Sequence, residues 1–281
     1  MKLDLRFIIP GPNRTSVLLD PDGRLPASPV DGDQDEATVV AATACLRGVF
    51  GFAAPILETH PRWEGVPEGD PIPVLVMTEP AAVGWTPPAG LAFGPVPDVA
   101  RGLPDILSAR AVELLAELRT GAEPPALRPR WSRRGWQARA SGWMIAAAAA
   151  ARRPLLEEPA PFYLRGISAL LLGRTAGRDV FLKAVFPPYH AEPAITRLLA
   201  ERFPESLPVV VAIEPDEGWL LVEDVAAPLI GEKPAADRRL GLDAGARALV
   251  ALQRAAARDV RPFAEAGCPR RHLAELPDAL A

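Results

Sequence analysis

Two residues stand out for the chemistry they could do. Lys183 sits inside the apolar run Val180–Val185, and Glu192 follows nine residues later. Lysine is scarce here: only Lys2, Lys183 and Lys233 occur, so 28 of the 31 basic residues are arginine. An ammonium group on a strand that reads as buried is costly unless it is paired or meets an anion. Glu192 precedes Pro193, which suits the first turn of a helix, so Glu192 falls at a helix N-terminus, where negative charge is favoured. It also lies three residues before Ile195 and seven before Leu199, at the start of an apolar stripe that Phe203 continues, whereas Glu201 lies off it. A strand lysine steered by a helix glutamate can hold phosphate groups.

The elements around this pair can be read from period and punctuation. "FYLRGIS", "ALLLGRT" and "DVFLKAV" are three strand-like runs, the last two joined by a hairpin turn at "AGRD" with Gly177. "HAEPAITRLLAERF" (190–203) predicts a helix. "LPVVVAIE" and "GWLLVED" predict two more strands joined by "PDEG". The order is β-β-β-α-β-β. The last strand ends in Glu223–Asp224 and is followed by small residues and Pro228. That suits a hinge in which backbone groups of residues 223–225 meet a planar base. "DAGARALVALQRAAARD" (243–259) predicts a helix beyond it.

The front of the chain mixes strands and helices. "LRFIIP", "SVLLD" and "PVLVMTE" read as strands, and "DPDG" (20–23) as a turn. "DEATVVAATACLRGVFGF" (35–52) reads as a helix capped by Asp33 or Asp35 and ended by Gly51. "DILSARAVELLAELRTG" (105–121) reads as a second helix, with Ile106, Val112, Leu114, Leu115 and Leu118 as its apolar set. Residues 122–136 are rich in Pro and Arg and read as a linker whose tryptophans pack. It leads into a helix of about 15 residues that ends near Arg153. "HPRWEG" (60–65) reads as a surface turn with a packing Trp63, and "CPRRH" (268–272) as a loop.

Composition bounds the function. The chain has 281 residues, 49% of them hydrophobic, so it can bury a core and is long enough for two domains. Its net charge of −4 argues against nucleic acid as the main partner, since phosphate neutralisation needs a basic face. The run "WMIAAAAAA" (143–151) is about half the length of a membrane span and reads as a helix end. Cys45 and Cys268 have no metal-ligand spacing with histidine and are expected as buried thiols in a cytoplasmic protein.

On "VFLKAV" with Lys183, "AEPAITRLLAERFP" with Glu192, "GWLLVEDV" and "ALVALQRAA", residues 156–281 resemble part of the aminoglycoside-phosphotransferase-like small-molecule kinases. The resemblance implies an α+β fold: a protein-kinase-like N-lobe (156–227) and the helical start of a C-lobe (228–281). It implies ATP with Mg²⁺ as the cofactor, Lys183 on the phosphates and Glu192 as its ion-pair partner. It also implies a short phosphate turn at "RGIS" with Gly166 and Ser168, and Glu223, Asp224 and Val225 at the adenine. The acceptor would be a hydroxyl of a small polar molecule. The family's catalytic His-x-Asp segment has no match: none of His60, His190 and His272 is followed two residues on by Asp. The expectation is a fragment or truncated member, inactive as this chain, whose exposed apolar face favours self-association. The alternative is a non-catalytic nucleotide-binding or protein-interaction module. Neither nucleic acid nor membrane is an expected partner.

Residues 1–121 resemble a degenerate Nudix domain, with 122–155 linking the two parts. Aligned on Gly51 and Phe52, the Nudix box places Glu36 at its first glutamate and Leu46 at its apolar position. Val30 stands for the first glycine, Ala44 and Cys45 for the Arg-Glu pair, and Gly48 and Val49 for the metal-binding glutamates. Without those carboxylates the resemblance implies no Mg²⁺ site there, but a cap or substrate-recognition domain.

Overall fold

The structure is a computed structural model. It describes residues 2–31, 37–52, 54–61, 65–67, 69–95, 103, 105–120, 128–164, 167–226 and 234–269. The fold is mixed α+β. Two compact units are resolved: residues 1–141 with 160–171, and residues 142–159 with 172–281.

In the first unit, β1 (Lys2–Ile8) lies inside a four-stranded sheet of order β3-β1-β5-β4, with β3 (Ala27–Asp31), β4 (Ile56–Pro61) and β5 (Ile72–Thr78). β1 and β5 run parallel, from Leu3 opposite Ile72 to Ile8 opposite Met77. A parallel pair has to be covered on both faces, and it is. On one face Phe7 meets Phe50 of α1 (Ala37–Phe50), ring centroids 5.2 Å apart. On the other, Ile8, Leu75 and Met77 pack with Leu107, Ala111, Leu114 and Leu115 of α2 (Asp105–Thr120). A small ribbon of β2 (Ser16–Leu19) and β6 (Ala92–Pro95) adds Val17 and Leu19 to that core.

Helix α1 ends at Gly51, whose φ of 58° suits glycine, and the Phe52 amide donates to the Leu46 carbonyl. The turn at 20–23 forms as its sequence predicts: the Gly23 amide donates to the Asp20 carbonyl, and Asp20 Oδ1 accepts from the amides of Asp22 and Arg24. Asp33, Asp35, Glu36, Trp63, Gly121 and His272 lie outside the described residues.

Several local expectations change. Val112 is half exposed and off the buried face of α2, which Leu107, Ala111, Leu114 and Leu115 form. His60 and Pro61 end a strand rather than start a turn. Residues 128–136 are tied into the fold more closely than a linker: Trp131 and Trp136 pack as expected, but Arg128 is buried too, and the Gly135 amide donates to Glu79 Oε1 at 2.7 Å. Composition misleads here because Arg128 is buried through ion pairs. Cys45 is buried as expected, but Cys268 is exposed.

Helix α3 (Trp136–Ala150) follows, then β7 (Ala160–Leu164), β8 (Ser168–Gly173), β9 (Val180–Val185), α4 (Glu192–Arg202), β10 (Val210–Glu214) and β11 (Trp219–Glu223). That is the β-β-β-α-β-β order the sequence predicts. The sheet order is β10-β11-β9-β8-β7, so β9 has a strand on each side. The boundaries of the compact units fall within α3, at the start of β7 and within β8. Beyond β11, α5 (Ala235–Ala256) has no buried residue, and the short α6 (Arg261–Glu265) buries Phe263. Among the described residues no helix is long and apolar enough to cross a membrane.

Candidate functional site

Strand alternation settles where Lys183 points. Val180, Leu182 and Ala184 are buried, at no more than 2% exposure. On β11 their partners are Glu223, Leu221 and Trp219. This face is covered by α3: the rings of Trp143 and Trp219 lie 5.6 Å apart, and a Cβ on Gly173 would meet Met144 and Leu155 within 3 Å. Lys183 faces the other way with Phe181 and Val185, and its cross-strand partner is Leu220. The strand therefore does not bury its lysine. The Lys183 side chain is 35% exposed.

Glu192 opens α4 on that second face. Its Oε1 accepts a hydrogen bond from Lys183 Nζ, and the two side chains form an ion pair with Glu192 34% exposed. Pro193, the one residue of α4 that is buried, seats the first turn. The rest of the predicted stripe is only half covered: Ile195 and Leu199 line an apolar cleft of about 680 Å³ with Leu249 and Leu252 of α5, Val260 and Phe263.

The end of β11 is anchored on several sides. The Glu223 amide donates to the Val209 carbonyl at 2.9 Å, and the Asp224 amide to the Asp179 carbonyl at 2.8 Å. Asp224 Oδ1 accepts from the Ala226 amide at 3.0 Å, closing a turn in which Ala226 is left-handed, at φ 52°. The Glu223 carboxylate pairs with Arg153. Both acidic side chains thus serve the local structure. Val225 is 59% exposed. Between this segment and Lys183, the lysine face carries Phe181 opposite Val222, both half-buried. Ser168 begins β8, and Gly166 lies outside the described residues.

The first unit holds a second charged cluster that the sequence reading missed. Glu58 on β4 is 10% exposed; its Oε2 lies 2.5 Å from His60 Nε2 and accepts from Arg110 Nη2 at 2.8 Å. Arg128, 6% exposed, pairs with Glu117 and reaches Glu58 at 3.5 Å and Glu113 at 3.9 Å. Burial alone would raise the Glu58 pKa, but the hydrogen bonds from His60 and Arg110 outweigh it and hold the carboxyl below its ordinary 4.5. Desolvation works against the charge of Arg110, yet its bonds to Glu113 and Glu58 raise its pKa. The spacing Arg110, Glu113, Glu117 on one helix was a visible signal. The strand partners Glu58 and His60 were not. Every member is engaged by another member, which suits a structural network rather than a ligand site. Among the described residues no group of three or more His, Cys, Asp or Glu side chains could hold a metal ion.

Comparison with protein-family models, curated proteins and solved structures returned no match.

Proposed function

We propose that the second unit is a nucleotide-binding module of the aminoglycoside-phosphotransferase-like kind. The observation that carries this reading is the Lys183–Glu192 ion pair, one-third exposed on one face of the sheet. A lysine held by a carboxylate at about one-third exposure is fixed in direction yet reachable by a ligand. Phosphate oxygens would take Lys183 Nζ, with Glu192 orienting it. Phe181 and Val222 would form the floor under a planar base, and the Glu223 carbonyl and Val225 amide would meet its edge. The side chains of Glu223 and Asp224 take no part.

The ligand is ATP. Mg²⁺ would have to arrive on its phosphates, because the described side chains do not form a metal site. Transfer to a hydroxyl of a small polar acceptor is proposed only for a chain that also carries the family's catalytic aspartate and metal ligands. These 281 residues carry no His-x-Asp segment. Calorimetric titration with ATP tests the reading. The protein should bind ATP, and Lys183→Ala should weaken binding about 10- to 100-fold, the worth of one charge-assisted phosphate contact. Absence of ATP binding overturns the proposal.

The cleft between α4, α5 and α6 favours a second reading, a protein-interaction module, because its lining is almost entirely apolar. Self-association through this face predicts a molar mass that rises with concentration in light scattering and falls back in Leu249→Glu. A constant monomer mass removes that reading.

A further inference from the structure

We infer that Arg153 is a positioning residue for the segment that ends β11. Its ligand, a purine nucleotide, rests on the reading above; its geometry does not. Helix α3 closes with two paired hydrogen bonds: the Arg152 amide donates to the Ala149 carbonyl at 2.9 Å, and the Arg153 amide to the Ala148 carbonyl at 2.8 Å. This closure needs a left-handed residue after the helix, a place that favours glycine because it has no Cβ to crowd the backbone. Here the residue is Arg152, at φ 61°. The chain therefore reverses at a residue ill-suited to it, and the next side chain, Arg153, meets Glu223.

Glu223 is 12% exposed and lies on the face that α3 covers, in line with Trp219 and Leu221. A carboxylate so covered needs a partner, and Arg153 supplies it from α3. On the backbone side, the amides of Glu223 and Asp224 are held by Val209 and Asp179, and Arg178 Nη1 donates to the Asp224 carbonyl at 3.4 Å. Strand bonds thus fix this segment along the sheet, and Arg153 fixes it across the sheet. The effect is to hold the Glu223 carbonyl and the Val225 amide in constant places for the edge of a base. Arg153 would act through Glu223 and would not touch the nucleotide.

The test compares two probes on the full chain. ATP carries a base; inorganic tripolyphosphate reaches only the lysine. Arg153→Met should weaken ATP about 10-fold, one hydrogen bond's worth of edge recognition, and leave tripolyphosphate unchanged. It should also speed hydrogen exchange at the Glu223 and Asp224 amides, which the strand bonds protect. Arg153→Lys, which keeps the charge, should fall between. Equal loss of both probes, or no change in either, overturns the inference. If the unaltered protein binds neither probe, the nucleotide reading fails by itself; faster exchange in Arg153→Met then still supports the anchoring, and unchanged exchange overturns it.

Discussion

Leu182 and Lys183 are neighbours on β9 that face opposite sides of one sheet, one fully buried and the other 35% exposed. Adjacent substitutions should therefore separate stability from binding. Leu182→Ala leaves a cavity and should cost about 2–5 kcal/mol. Lys183→Met removes a part-exposed ion pair and should change stability by less than about 1 kcal/mol while weakening ATP binding as Lys183→Ala does. Urea unfolding beside ATP titration checks both. A large stability loss in Lys183→Met would mean that the pair serves the fold.

Glu192→Gln should leave the fold intact and weaken ATP less than Lys183→Ala does. The amide still accepts a bond from Lys183 but no longer holds it by charge. Calorimetry on the two variants measures the order, and the reverse order would place Glu192, not Lys183, at the phosphates.

The Glu58 cluster sets an acid limit for the first unit. The folded carboxyl titrates below its ordinary 4.5, so near that pH the unfolded chain binds more protons than the folded one. The stabilisation is complete above 4.5 and is lost as pH falls through the lower folded value. The urea midpoint should drop across that window. In Glu58→Gln the drop should shrink, on top of a loss of about 1–3 kcal/mol at neutral pH from the weakened pairing of Arg110 and Arg128.

Arg152→Gly should stabilise the protein by about 1 kcal/mol, because glycine adopts the left-handed turn without Cβ strain. The Arg153–Glu223 pair should survive, so ATP affinity should not change. A thermal melt and one titration decide it.

Helix α5 should exchange its amides far faster than β9 and β11. A helix with no buried residue is held mostly by its own hydrogen bonds, with half-covered side chains such as Leu252 as its tertiary contacts. Hydrogen exchange resolved by segment measures this, and protection of α5 equal to that of β9 would mean that another surface covers it.

What the sequence could disclose depended on range. Lys183 and Glu192 were legible because they are nine residues apart and a helix start lies between them. The strands around them announced themselves by apolar runs and turns. β4 did not, since "ILETHP" ends in polar residues whose partners, Arg110 and Arg128, come from distant segments. Arg153 was equally silent: nothing near it in the chain points to Glu223, and the left-handed turn that aims it carries an arginine where a glycine would have signalled it. The β-β-β-α-β-β order was readable from period and turn residues, and the α+β class came with the resemblance. The burial of Arg128 was not readable, because an arginine paired by three glutamates looks like a solvated one.

The scarcity of lysine has a chemical consequence. Besides the N-terminus, an amine-selective reagent meets three primary amines in this chain, at Lys2, Lys183 and Lys233. One of them is the half-open group paired with Glu192. An acylating analogue of a nucleoside triphosphate would label Lys183 against very little background, and competition by free nucleotide could be followed from one modified peptide.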